Sequence, residues 1–256
     1  MKTLKEILLS ADPVSILREM DVNGSLAALD PAISGLRLAI VPGAHHKDNL
    51  DHSIRVLENA IEREDVPDLV LRTAALLHDV GKPATRKFGV RKSVSFDGHE
   101  IVGAAIARKM LKKHGYSKSE ISEISELIAL HMRSHGFEEN GAWTDSGVRR
   151  LIGDVSSDKQ MDRLVIIFYS DVTTKHAHKR KAIHDQVDHL VNAIVRVKRE
   201  DERKSLRPAI DGCEVMEILG INPGKELGVV MKFLNSDDGV FLSREDAISE
   251  IIRRFS

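Results

Sequence analysis

Four histidines and two aspartates stand where an imidazole or a carboxylate continues an apolar helical stripe. His52 keeps the spacing of Val56 and Ala60, and His78 that of Leu71, Ala74 and Ala75, so both rings are expected to turn inward. Asp79 follows His78 directly, and Val80-Gly81-Lys82-Pro83 then breaks the helix, so an imidazole and a carboxylate leave one helix end together. His131 extends Ile124, Leu127 and Ile128, while Asp171 extends Leu164, Ile167 and Phe168. His99 shares a helical face with Gly103 and Ile106. A single histidine on an apolar face is usually a hydrogen-bonded core residue, so the argument rests on several positions agreeing. A buried, unpaired carboxylate costs several kcal/mol, and Asp171 is therefore expected to be neutralised, paired with a cation or bound to a metal. Neutral imidazoles and carboxylates are the donors that hold divalent metals such as Mn, Ni, Fe, Zn or Mg. Lys82, one residue beyond the broken helix, is placed to pair with a phosphate as a point charge, the plainer alternative being a solvated loop lysine.

The elements that position these groups read as short helices. Apolar residues recur at helical spacing through Ile54, Leu57 and Ile61, through Ile121, Ile124 and Ile128, and through Leu164, Ile167 and Phe168. Pro67, Gly81, Pro83, Gly115, Gly136, Gly141 and Gly153 punctuate them. Asp97 with Glu100 reads as a capping box opening the helix through Ile106 and Met110. One segment, about 87–96, alternates Phe88, Val90, Val94 and Phe96 around Gly89 and is expected as a small β-hairpin, a basic loop being the alternative. A long polar helix runs from about Ala182 to Lys204, and a boundary near residue 205 precedes shorter helices starting near Asp211, Pro223 and Ser243. The expected class is all-α.

Composition narrows the function classes. The chain has 256 residues, 42% hydrophobic but only 4% aromatic, which favours helix packing over a β-sandwich core. A formal net charge of -1 gives no global attraction to nucleic acid, so any such binding needs a local basic patch. One cysteine, Cys213, excludes an intramolecular disulfide framework and a cysteine-rich zinc site, and is expected as a small packed residue. No stretch is long enough to span a bilayer and the first residues lack a secretory core, so a cytoplasmic protein with no membrane partner is expected.

The order His52, His78-Asp79 within Leu76-Leu77-His78-Asp79-Val80-Gly81-Lys82-Pro83, then Asp171, resembles the HD phosphohydrolase signature, and His99 and His131 match the extra histidines of its two-metal members. Phe96-Asp97-Gly98-His99-Glu100, Trp143-Thr144-Asp145-Ser146, Val148-Arg149-Arg150, Asp171-Val172-Thr173-Thr174-Lys175 and Asp211-Gly212-Cys213-Glu214 are similar to segments of actinobacterial-type CCA-adding enzymes and related poly(A) polymerases. The similarity runs from about residue 12 to the end. It implies an HD-domain helical bundle at 46–204, a helical neck-like segment at 1–45 and a helical tail at 205–256. In that family nucleotide addition belongs to an N-terminal head with a Gly-Ser motif and paired aspartates, which these residues do not supply, so no CCA addition by this chain alone is expected. His176 stands where the family carries asparagine.

What the resemblance implies for chemistry is hydrolysis of a phosphoester of a nucleotide or an RNA 3′ end: 2′,3′-cyclic phosphodiesterase, 2′-nucleotidase or phosphatase. His52, His78, Asp79 and Asp171 would hold one metal, with Asp79 bridging to a second held by His99 and His131; paired ions about 3.5–4 Å apart lower the pKa of a shared water. Lys82, with Arg86, would offset phosphate charge. Two other functions fit the same residues. A tRNA- or RNA-binding module without chemistry would use Arg149, Arg150, Lys175 and Lys179, and with them the basic face of the long helix, although one Trp and two Tyr leave few stacking platforms. A purely structural metal site serving a separate nucleotidyltransferase is the other, but structural sites close with four ligands and six candidates exceed that. On its own physics Trp143 is a loop or packing aromatic.

Overall fold

Leu69–Leu77 is apolar around nearly its whole circumference, and a helix of that kind must be covered on all sides. In the computed structural model, which describes residues 2–37, 48–88, 94–135, 138–139, 142–205, 207–236 and 238–256, every residue from Val70 to Leu77 is buried. With helices numbered in chain order this is α6, capped at its start by Asp68, whose carboxylate accepts from the Leu71 N–H. Around it stand α5 (Asn49–Ile61), α9 (Lys118–Leu130) and α11 (Asp158–Ser170), and α8 (His99–Lys113) packs along α9. The four shorter helices that precede them are α1 (Leu4–Leu8), α2 (Pro13–Val22), α3 (Leu26–Leu29) and α4 (Pro31–Ser34); α1 lies on α6 and α2 on α5. The described residues 2–37 thus belong to the same compact unit as the bundle, and the expected boundary at 45–46 falls outside the described residues.

Two glycines bring α8 close. A Cβ on Gly81 would lie 2.1 Å from the His99 carbonyl oxygen and 2.6 Å from the Gly103 nitrogen, so the turn after α6 rests directly on the backbone of α8. Between them lies α7 (Lys82–Thr85), followed by β1 (Lys87–Phe88) and β2 (Val94–Ser95), which pair antiparallel with Lys87 opposite Ser95. This is the expected hairpin; its residues 89–93 lie outside the described set. A second antiparallel pair, β3 (Glu138–Glu139) with β4 (Ala142–Trp143), was not expected, because two-residue strands are too short for alternation to show. The Asp97–Glu100 capping box does not form: α8 begins at His99, with Gly98 at φ 77° as its cap. Asp97 instead accepts from the Ser95 hydroxyl at 3.2 Å.

Beyond these come α10 (Asp145–Asp154), capped by Thr144, and α12 (Ala177–Ser205), which starts earlier than its polar pattern suggests. The division between compact units falls inside α12, between Ile194 and Val195. In the second unit α13 (Gly212–Leu219), α14 (Lys225–Leu234) and α15 (Arg244–Phe255) enclose Ile210, Val215, Val230, Leu234, Ala247 and Ile251. Asp211 and Glu214 form a reciprocal capping box at the start of α13. Cys213 is exposed rather than packed, because in the first turn of α13 it is Val215 that faces the core. No described helix is long and apolar enough to cross a membrane.

Candidate metal centre

Helix ends deliver the candidate donors. His78 caps the C-terminus of α6 with Asp79 next to it, His131 caps α9, Asp171 caps α11, His99 is the first residue of α8, and His52 projects from the first turn of α5. At two of these ends the same local device recurs. His78 Nδ1 lies 2.9 Å from the Ala75 carbonyl oxygen and His131 Nδ1 lies 2.7 Å from that of Ile128, each a carbonyl of the last helical turn. His99 Nδ1 meets the Phe96 carbonyl at 2.9 Å. A carbonyl only accepts, so each of these Nδ1 atoms carries the proton and donates, which in the neutral ring leaves a lone pair on Nε2. His52 is oriented by Thr173, with 3.0 Å between Nδ1 and the hydroxyl.

The Nε2 atoms meet in pairs. Those of His52 and His78 lie 3.3 Å apart, and those of His99 and His131 lie 3.2 Å apart. Two lone pairs at that distance repel unless positive charge sits between them, which is what a proton or a metal supplies. Asp79 joins the pairs: Oδ2 is 3.2 Å from His78 and 3.6 Å from His52, while Oδ1 is 3.2 Å from His99 and 3.8 Å from His131. Asp171 Oδ1 completes the first group, 2.9 Å from His52 Nε2 and 3.6 Å from that of His78. The structure therefore brings all six expected donors into two groups, His52-His78-Asp171 and Asp79-His99-His131, each compact enough to hold one ion.

Electrostatics agrees with the donor set. Burial opposes charge on His78, but Asp79 and Asp171 outweigh it and raise its pKa to about 10. For His131 burial, then the neighbouring His78 charge, push the pKa down to about 3, so this ring stays neutral. Asp79 and Asp171 are both held well below the usual carboxylate range; burial acts against this, and the surrounding imidazoles prevail. Two ionised carboxylates at the ends of helices, where the peptide dipoles are negative, create a demand for cations. Lys82 answers part of it, its ammonium lying 2.6 Å from Asp79 Oδ2.

Exposure shows the open side. The side chains of His78, Asp79 and His131 are 1% exposed, whereas Asp171 and Lys82 are each 20% exposed. A cavity of about 410 Å³ reaches the first group through His52, and Asp48, Asp51, Arg55, Thr173 and Lys175 also line it. Arg86 sits at the end of α7 with its guanidinium over the Phe88 ring. Arg149 and Arg150 lie on α10, and Lys179 is exposed on α12. His114 belongs elsewhere, paired with Asp30 at 2.9 Å. Sequence reasoning missed Gly81 and Gly103 as the contact that sets His78-Asp79 beside His99, and Thr173 as the partner of His52. It also missed Asn59, whose amide donates to the Ser170 carbonyl at 2.8 Å and ties α5 to the end of α11.

Comparison with known proteins finds the following similarities. The HD domain family matches residues 49–169, a span that holds five of the six donors, with Asp171 just beyond it. The chain is 28% identical over 196 residues to the A-adding tRNA nucleotidyltransferase of Deinococcus radiodurans, covering 75% of this chain and 43% of the relative. It is 29% identical over 232 residues to the CC-adding tRNA nucleotidyltransferase of Thermus thermophilus, covering 90% and 50%. A bifunctional uridylyltransferase/uridylyl-removing enzyme of Ruegeria pomeroyi is 25% identical over 185 residues, 65% of this chain and 19% of the relative. The chain spans about half the length, or less, of these relatives. It contains an HD domain, a fold of the metal-dependent phosphohydrolase type, and is similar to the HD-containing part of the tRNA nucleotidyltransferases.

Proposed function

We propose that this chain is a metal-dependent phosphohydrolase acting on nucleotides or RNA ends, of the 2′,3′-cyclic phosphodiesterase, 2′-nucleotidase or phosphatase type, and that its centre is binuclear. The observation that carries the proposal is the pair of Nε2–Nε2 approaches, 3.3 and 3.2 Å, joined by the two oxygens of Asp79. His52, His78, Asp79 and Asp171 would hold one ion, and Asp79, His99 and His131 the other. Divalent ions bound there supply Lewis-acid polarisation of a phosphoester and a water of lowered pKa. The protein's own part is to keep His78, His99 and His131 in one tautomer through Ala75, Phe96 and Ile128, and to orient His52 through Thr173, so that the donors need no rearrangement. Lys82, on the open side, offsets phosphate charge, helped by Arg86. A relative named for removing a uridylyl group lends support to phosphodiester hydrolysis, and the tRNA nucleotidyltransferase relatives lend support to an RNA-end substrate.

Hydrolysis of 2′,3′-cyclic AMP with Mn²⁺, Ni²⁺ or Mg²⁺, alongside Asp79→Ala and with bound metal measured on both proteins, tests the proposal. Wild type turns the substrate over; the variant loses both metal and turnover while its helical circular dichroism persists. Full turnover by Asp79→Ala would overturn the assignment. A second reading, RNA binding without chemistry, is favoured by Lys175, Lys179 and Arg180, which make no ion pair among the described residues. RNA binding that fades in moderate salt and is indifferent to chelators would select it.

A further inference from the structure

Asp171 also lines a second cavity, of about 290 Å³, with a different character. Trp143, Phe168, Ile183 and Leu190 give it apolar walls, while Gln186, Ser134 and Asp171 itself supply its polar edge. The Gln186 amide makes no hydrogen bond among the described residues, and Ile183 is 37% exposed, a large apolar side chain left open to solvent at this wall. Ligand pockets run to about 300–1,000 Å³, apolar with a few placed polar groups, so this one is at the small end and suits a single flat ring system rather than a large ligand. A planar base fits these walls: an indole offers a face for stacking, and an amide can both donate to and accept from the edge of the base. The cavity shares Asp171 with the metal donors, so a ring held there would carry its sugar and phosphate toward them.

We propose that this cavity binds the nucleobase of the substrate, with Trp143 as its stacking platform and Gln186 as its hydrogen-bonding partner. The proposal rests on the phosphohydrolase reading for the direction of the sugar and phosphate. It extends that reading by giving the base of the nucleotide a defined site of its own. Selection among bases falls to Gln186, whose amide presents one donor edge and one acceptor edge.

The chain contains a single tryptophan, so its fluorescence reports on this cavity alone. Adenosine and cytidine, which carry no phosphate, are titrated into the full chain while tryptophan emission is followed, with equilibrium dialysis of the same nucleosides in parallel and inorganic phosphate as the control. Saturable binding of a nucleoside is expected, weakened about tenfold or more in Ile183→Glu, which sets a charge in the apolar wall, and about tenfold in Trp143→Ala by dialysis. Circular dichroism of both variants should match wild type. Absence of nucleoside binding by both methods, or equal binding by wild type and a folded Ile183→Glu, would overturn the proposal. Hydrolysis of p-nitrophenyl phosphate by the same wild-type sample separates the two ideas. Turnover without nucleoside binding removes the base pocket and leaves the hydrolase; nucleoside binding without any phosphoester turnover does the reverse.

Discussion

Gly81→Ala is the smallest change that should separate the two halves of the metal centre. The new methyl would stand 2.1 Å from the His99 carbonyl oxygen, 2.6 Å from the Gly103 nitrogen and 2.9 Å from the His99 carbonyl carbon, all backbone atoms that no rotamer can move. Ordinary contact begins near 3.4 Å, so the turn after α6 and the start of α8 must part by more than an ångström. Metal donors tolerate errors of about 0.2 Å, so Asp79 would lose the geometry that the proposed sharing of an ion with His99 and His131 requires. Overpacking of this kind costs about 1–3 kcal/mol, which in a unit of this size lowers Tm by about 2–10 °C. Metal analysis after dialysis against a fixed Mn²⁺ concentration, with a thermal melt by circular dichroism, reads both effects. Gly115→Ala is the control: at φ 71° it carries a backbone penalty of about 1–2 kcal/mol, yet its methyl would meet nothing within 4 Å, so stability falls while metal content holds. Wild-type metal content together with a wild-type Tm in Gly81→Ala would refute the reasoning.

Thr173→Val removes the hydroxyl that orients His52 and should weaken metal binding about 10- to 100-fold, as measured by titration calorimetry, while Thr173→Ser restores it. Arg163, buried on α11, pairs with Asp68 at 2.8 Å and Glu123 at 2.6 Å, and Arg163→Met should cost about 1–3 kcal/mol at neutral pH by removing its charged hydrogen bonds to both carboxylates. Burial pushes the Asp68 pKa up, but Arg163 and the Leu71 N–H bring it below its ordinary value. A lowered folded pKa stabilises above about pH 4 and ceases to do so as pH falls through the folded value. Urea melts should therefore show a smaller loss of stability from pH 7 to pH 3 in Arg163→Met than in wild type; equal losses would count against the pairing as the cause.

Most of the donors were legible because they share a helical face with apolar residues, His52 and His99 near the start of a helix and His78, His131 and Asp171 at the end of one. Val56 and Ala60 beside His52, and Ile124, Leu127 and Ile128 before His131, are buried as that spacing requires. What orients the donors was not legible. The partners of His78, His99 and His131 are backbone carbonyls, which every residue possesses, so no residue type marks them. Gly81 reads in sequence as a helix stop, and its closeness to Gly103 exists only once α8 has packed. The start of α8 was misjudged for a related reason: Asp97 and Glu100 have cap spacing, but Gly98 adopts the left-handed conformation and takes the cap position itself. The tail helices were easier, since Asp211 and Ser243 cap locally and need no tertiary partner.

Stability alone would not place these residues where they stand. A helix C-terminus favours a cation, yet α11 ends in Asp171 and α6 ends in His78 followed by Asp79. At α6 and α9 the terminal histidine satisfies a last-turn carbonyl with Nδ1, a task that a backbone C-cap performs as well, and in doing so it commits Nε2 to the interior. Each end thus trades a neutral, self-contained cap for one that adds to a shared electrostatic demand. Lys82 meets one unit of that demand, and the proton favoured on His78 meets another. Both positive charges gather around Oδ2 of Asp79, whereas Oδ1 faces His99 and a His131 that burial keeps neutral. The Asp79-His99-His131 group is therefore the half of the centre with the least positive charge of its own, and the one that depends most on a bound cation to hold its donors together.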